Sequence, residues 1–470
     1  GRNTSTGSPA GTSSLLVNTA GSVVVGGTIH LGDDPDGGTG LLRLTGAASS
    51  VTCAGLARGP GGALDLQDGQ LTVDGGPFSN PTSPLFQFGG GTAGASPTIL
   101  LRQNATMTTP VGGQLAVDGN ALVRLESGSR LFCPQNLTLG VNAGSHGQLT
   151  LTGPATSADV NILRVGSLGD ATLELLDRAS LSVQDRAELA ALPGSSAEVT
   201  LDHATADFGA GLFVSARPNG AGGFNSGGRA RLTLANHASA TTSGGLSAGT
   251  LGEIVLDRSS LTFGGHGFVA GSVTLVQASL TGPSLEVYGP FSASGTIRCR
   301  LFSGTPILAT GDLTVGDGTA DALRFLTVDA GPFRVTYLDS TPVELRDTSL
   351  NGGTLVAANG FTLLPGEQLA GTGRIVGDFQ HDGNLVPTGP LGLSFLGTFE
   401  HDSGRVISGT RILFEAGSLY RGHTLAGTTR WHSAPGSRMV FTDTSGVGLN
   451  VPDGFVCGGE LDVTGNLFVA

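Results

Sequence analysis

The feature that most constrains this chain is an internal repeat of short, alternating apolar bursts separated by glycine-rich turns. One unit reads Ala121-Leu122-Val123-Arg124-Leu125, then Arg130-Leu131-Phe132, then Asn136-Leu137-Thr138-Leu139-Gly140. The next runs Gln148-Leu149-Thr150-Leu151 and Asn161-Ile162-Leu163-Arg164-Val165, and further units start near Glu198, Arg231 and Glu253. A period of two is what a strand needs to bury one face, and the intervening Gly, Asn, Asp and Ser supply turns. One such unit cannot bury its apolar face alone. Stacking units about 4.8 Å apart pairs their strands in parallel and closes a continuous core. The spacing predicts an all-β fold: a single elongated parallel β-helix (β-solenoid) of roughly 17 rungs, each about 24 residues, about 80 Å long.

Composition agrees with a long thin core. Of 470 residues 79 are Gly, yet there is no collagen period, and the evenly spaced apolar bursts argue against disorder. The one segment with a helical look, Asp185 to Leu192 before Pro193, reads better as a strand and corner of its own repeat. Net charge is −13, and every basic residue is Arg, with no Lys. An acidic chain without a basic cluster is a poor ligand for nucleic acid or for anionic membranes. No apolar run approaches the roughly 20 residues that span a bilayer, so no membrane insertion is expected. The first residue is Gly, which reads as a processed chain or an excised segment.

The organisation expected is a flexible Ser/Thr/Gly arm over 1–14, degenerate repeats over 15–364, and a more regular module over 365–470. That module contains Gly366-Glu367-Gln368-Leu369-Ala370-Gly371-Thr372-Gly373, then Gly377-Asp378-Phe379, Asn384-Leu385-Val386-Pro387 and Gly392-Leu393-Ser394-Phe395. It resembles a stretch of autotransporter-type passenger domains and related bacterial surface β-helix proteins. The close match covers about 40 residues, with a looser one over 10–340. It departs at Pro387-Thr388-Gly389-Pro390, where the family has Pro-Gly directly. The resemblance implies a right-handed β-helix exported from a Gram-negative cell to its surface or surroundings. It implies no single activity, since this fold hosts adhesins, enzymes and inert stalks.

Pectin-degrading enzymes share the fold, which makes a lyase or hydrolase the enzymatic rival. Gly265-His266-Gly267 matches one short element of their signature, and Asp33-Asp34 imitates paired carboxylates, but these lie over two hundred residues apart. The Arg-Ile-Lys element and any Lys base are absent. No catalytic residue is assigned, and an enzyme stands third. Phe379-Gln380-His381-Asp382 and Phe399-Glu400-His401-Asp402 repeat one tetrad, with His423 a similar interval on. On a solenoid these read either as a repeated polar turn or as imidazoles stacked along one edge beside carboxylates, a divalent-metal strip. Asp33, Asp34 and Asp36 read either as an acidic turn or as oxygen ligands for Ca²⁺. No cofactor is otherwise expected. One Trp and three Tyr give little for sugar recognition. Cys53 and Cys133 occupy similar places in their units, about three rungs or 14 Å apart, beyond disulfide reach.

Neither end shows a helical or charged cap. Glu460-Leu461-Asp462-Val463 and Leu467-Phe468-Val469 are poised to be stacked upon, through Leu461, Val463, Leu467, Phe468 and Val469. The expected role is therefore a non-enzymatic extracellular structural protein joining head-to-tail with itself into a surface fibre or matrix. The alternative is an adhesin that binds a cell surface or extracellular matrix through the long loops near 75–97 and 217–228.

Overall fold

The computed structural model describes residues 12–32, 38–59, 61–79, 86–88, 96–218, 224–319, 328–401, 405–406, 411–422, 430–442, 449–451, 456–464 and 467–469. Among the described residues there is no helix. Parallel strands stack as a β-solenoid of about 16 turns. The chain forms two compact units, Gly1–Ser272 and Val273–Ala470. The expected boundary at 364/365 falls inside the second, in the turn between strands Phe361–Leu363 and Gln368–Val376.

In the first unit the turns stack residue on residue. Leu101, Leu125, Leu151, Leu175, Leu201, Leu234 and Leu256 sit in successive register, all sealed from solvent. A second column runs Leu56, Phe78, Met107, Leu131, Ala158, Leu181, Ala206, Ala240 and Leu261. A third runs Leu115, Leu139, Val165, Leu189, Val214, Ala248 and Val269. Each inward leucine contributes about 1.5–3 kcal/mol by burial, and the period of two sends its neighbours outward. Ser180–Leu189 is a strand, with Ala187 and Leu189 inward, as the alternation requires.

The columns correct one reading. Cys53 stacks on Val73 in the first column, whereas Cys133 stacks on Val160 on the strands that carry the second, two residues beyond Leu131 and Ala158. The two thiols therefore occupy different faces of the solenoid, and their similar sequence settings hid a shift of one strand. All four cysteines are free. Of the two long loops, 80–85 and 89–95 lie outside the described residues. The other departs as an antiparallel hairpin, Ala216–Pro218 against Phe224–Ser226.

The second unit has shorter turns filled by larger side chains. His381 and His401, in register, are 20 residues apart, against 24 for Thr150 and Glu174 in the first unit. Phe361, Phe379, Phe399, Tyr420 and Met439 form one inward column. Phe395 and Phe414 form part of another, with Trp431 on Ile412 beside them. Stacked rings follow: Phe379–Phe399 at 5.3 Å, Phe399–Tyr420 at 5.7 Å and Phe414–Trp431 at 5.9 Å. Trp431, Tyr337 and Tyr420 are thus core residues, and only Tyr288 of the four large polar aromatics is exposed. Gly371 shows why the module needs its glycines. Its φ is +113°, and a Cβ there would collide with the Leu350 carbonyl of the turn before.

Candidate functional site

One outermost described strand in each unit is less covered than the strand it stacks on. Strand Thr12–Asn18 pairs with Thr39–Thr45, and among the described residues nothing pairs with its other edge. Leu15 lies in register with Leu42 and points inward, but Leu15 is 36% exposed where Leu42 is 0%. Val23 and Val25 are half-buried, while Val51 and Cys53, in register one turn on, are sealed. The C-terminal end repeats this. Leu461 is 40% exposed over Met439 at 0%, and strand Glu460–Thr464 is paired on one edge alone among the described residues.

Thr12 to Ser14, assigned from sequence to a flexible arm, belong to the first strand, because they continue its ladder onto Thr39, Gly40 and Leu41. Residues 1–11 lie outside the described residues. Val463 is on strand Glu460–Thr464, and Leu467, Phe468 and Val469 pair with Leu449–Val451. Of these four only the backbone is described.

The repeated histidines fit neither a polar turn nor imidazoles along an outer edge. His381 and His401 stack in register and point into the core, with Nδ1 atoms 3.1 Å apart and ring centroids 4.8 Å apart. Alternation sends Gln380 and Glu400 to the opposite, outer face, so these carboxylate and amide groups do not flank the rings. The next position of the column is Gly422. His423, Asp33, Asp34 and Asp36 lie outside the described residues. Among the described residues no three His, Cys, Asp or Glu side chains converge as a metal would require. His266 opens strand His266–Val269 with its side chain exposed, instead of sitting in a turn.

Two grooves mark the second unit. One of about 310 Å³ is lined by Asp378, Gln380, Glu400 and Arg421 among others. Its acids already have structural partners: Asp378 accepts the Thr398 backbone N–H at 2.8 Å, and Glu400 lies 3.8 Å from Arg421. The second, about 400 Å³, includes Arg298, Asp317 and Asp339. There Asp317 accepts from Thr319 N–H and Oγ1 at 2.9 and 2.7 Å, and Asp339 does the same for Thr341 at 3.2 and 3.1 Å.

Other polar groups, unmarked in the sequence, also hold turns to one another. Glu188 is buried on the outer side of its sheet between Arg164, at 3.2 Å, and Arg186, at 2.7 Å. At one corner Asn236 donates to Asp202 at 2.9 Å and accepts from Arg258 at 2.8 Å. The signal was in-register opposite charge, readable only once the register was known. Burial pushes the Cys53 thiol up to about 11 and the Cys299 thiol up to about 12. Among the described residues no helix is long and apolar enough to cross a membrane. The chain matches no protein-family model, no curated protein and no solved structure.

Proposed function

We propose that this chain is a non-enzymatic structural protein that joins copies of itself end to end, strand edge on strand edge. The observation that carries the reading is the pair Leu15 and Leu461, each exposed on an outermost described strand of its own unit while the residue it stacks on, Leu42 or Met439, is sealed. Covering such residues removes apolar surface from water and pairs the free strand groups in the same step. The two ends differ in sequence, so the contact is heterologous and need not close into a ring. The likeness of Gly366 to Phe399 to bacterial surface passengers supports an extracellular fibre or matrix as the setting.

The second reading, an adhesin, is favoured by the antiparallel hairpin Ala216–Pro218 and Phe224–Ser226, which interrupts the parallel stacking. Sedimentation over a concentration series separates the two. End-joining gives mass that grows with concentration and falls back in Leu461→Glu. The adhesin reading gives a monomer throughout, whose ligand binding is lost on deleting the hairpin.

A further inference from the structure

The second unit carries an exposed aromatic pair that its buried ring columns do not explain. Tyr288 is 45% exposed and Phe302 36%, with ring centroids 5.8 Å apart. They lie on the outer face of two paired strands, where Ser284 is in register with Arg300 and Glu286 with Phe302. The Tyr288 ring packs against Gly304, where a Cβ would come to 3.0 Å from it, so the absence of a side chain there makes room for the ring. Its hydroxyl donates to Glu286 at 3.0 Å, which fixes the ring's direction. The result is a partly exposed pair of rings tilted by 55° to each other, a two-ring platform with an angled surface.

Charge around the platform is uneven. Some Arg residues elsewhere are tied to acids, as Arg102 to Asp74 at 2.9 Å and Arg438 to Asp462 at 3.0 Å, while others, such as Arg130 and Arg229, have no ion pair to a described acid. Arg298 and Arg300 alternate with Phe302 along the exposed side of one strand, and among the described residues neither has an ion pair or hydrogen bond. The acids nearest Arg298 in its groove, Asp317 and Asp339, are occupied by Thr319 and Thr341.

We infer that Tyr288, Phe302, Glu286, Arg298 and Arg300 form a binding surface for an oligosaccharide that carries carboxylates. Sugar rings present apolar C–H faces that stack on aromatic rings, and their hydroxyls donate to an acceptor such as Glu286. A guanidinium matches a sugar carboxylate in paired hydrogen bonds. Single-stranded nucleic acid also uses rings and Arg. It fits less well, because Glu286 lies in register with Phe302 and accepts from Tyr288, and the chain carries a net charge of −13.

The test is calorimetric titration of the whole chain with a hexamer of galacturonic acid, a neutral cellohexaose and a six-residue oligothymidylate. The hexauronate binds, and Tyr288→Ala, Phe302→Ala and the double variant Arg298→Gln/Arg300→Gln each weaken it about tenfold. Phe302→Tyr retains binding, and circular dichroism shows all variants folded. Absence of hexauronate binding overturns the assignment. So does equal or tighter binding of cellohexaose or oligothymidylate, or hexauronate binding that survives both ring deletions.

Discussion

His381 and His401 meet inside the core of the second unit with Nδ1 atoms 3.1 Å apart, one turn of the solenoid directly above the other. One ring donates from Nδ1 and the other accepts, so the pair satisfies a polar contact where Leu363 and Gly422 continue the column. Removing one partner leaves the other ring's nitrogen buried, whereas removing both leaves none. His401→Leu alone is expected to lower stability by about 1–3 kcal/mol, and adding His381→Leu to recover part of that loss. A double-mutant cycle in urea measures it, and simple additivity would show that the contact carries no coupling.

The leucine column of the first unit predicts a sharp inside–outside contrast. Leu175→Ala opens a cavity between Leu151 and Leu201 and should cost about 2–5 kcal/mol. Thr200→Ala, on the outer side of the neighbouring strand, should stay within about 0.5 kcal/mol. Denaturant midpoints of the two variants are the check.

Gly371→Ala should destabilise the second unit by more than about 1 kcal/mol, because the residue needs positive φ and meets the Leu350 carbonyl. Gly366 also has positive φ, +88°, but a Cβ there would meet open space. Gly366→Ala should therefore cost less than Gly371→Ala in the same thermal melts.

Stability should also depend on acid through Glu415. Hydrogen bonds from Arg374, at 2.6 and 2.8 Å, and then from Ser394 hold its carboxyl below the ordinary value of 4.5. A depressed carboxyl contributes stability above the unfolded value and loses it as pH falls through the folded one. Between pH of about 5 and about 3, wild type should lose stability more steeply than Glu415→Gln. Because Arg374 is nearly half exposed, the difference is modest and shrinks in salt. Parallel urea titrations across that range would show it.

Thiol labelling offers a separate view of the core. Cys53, Cys133 and Cys299 are buried, and burial raises all three thiols. Cys457 is partly accessible. Native protein should incorporate one equivalent of a maleimide at Cys457 first, with the others reacting only on unfolding. Mass spectrometry after timed labelling reads the order.

Much of the fold was legible in the sequence because period-two alternation and turn residues act locally. Leu122 to Leu125, or Leu149 to Leu151, announces a strand and its buried face without reference to any partner. What was hidden depends on register. Cys53 and Cys133 looked equivalent until pairing placed them on different faces. Nothing local marks Trp431 and Tyr420 as core residues; ring stacking across turns puts them inside. The repeated tetrad left stacking of His381 on His401 as one of two readings, and their side of the strand was fixed by Phe379 and Phe399, two residues earlier and also inward. The Tyr288–Phe302 platform was invisible because its members are 14 residues apart in shortened turns.

The central claim is that unlike ends of two copies meet, and complementation between blocked ends tests it most directly. Leu15→Glu/Val23→Glu blocks one end and Leu461→Glu blocks the other. Analytical ultracentrifugation should show each variant alone as a monomer, wild type as growing assemblies, and an equimolar mixture of the two variants as dimers and nothing larger. A monodisperse wild type at all concentrations, or a mixture that stays monomeric while wild type assembles, would contradict it.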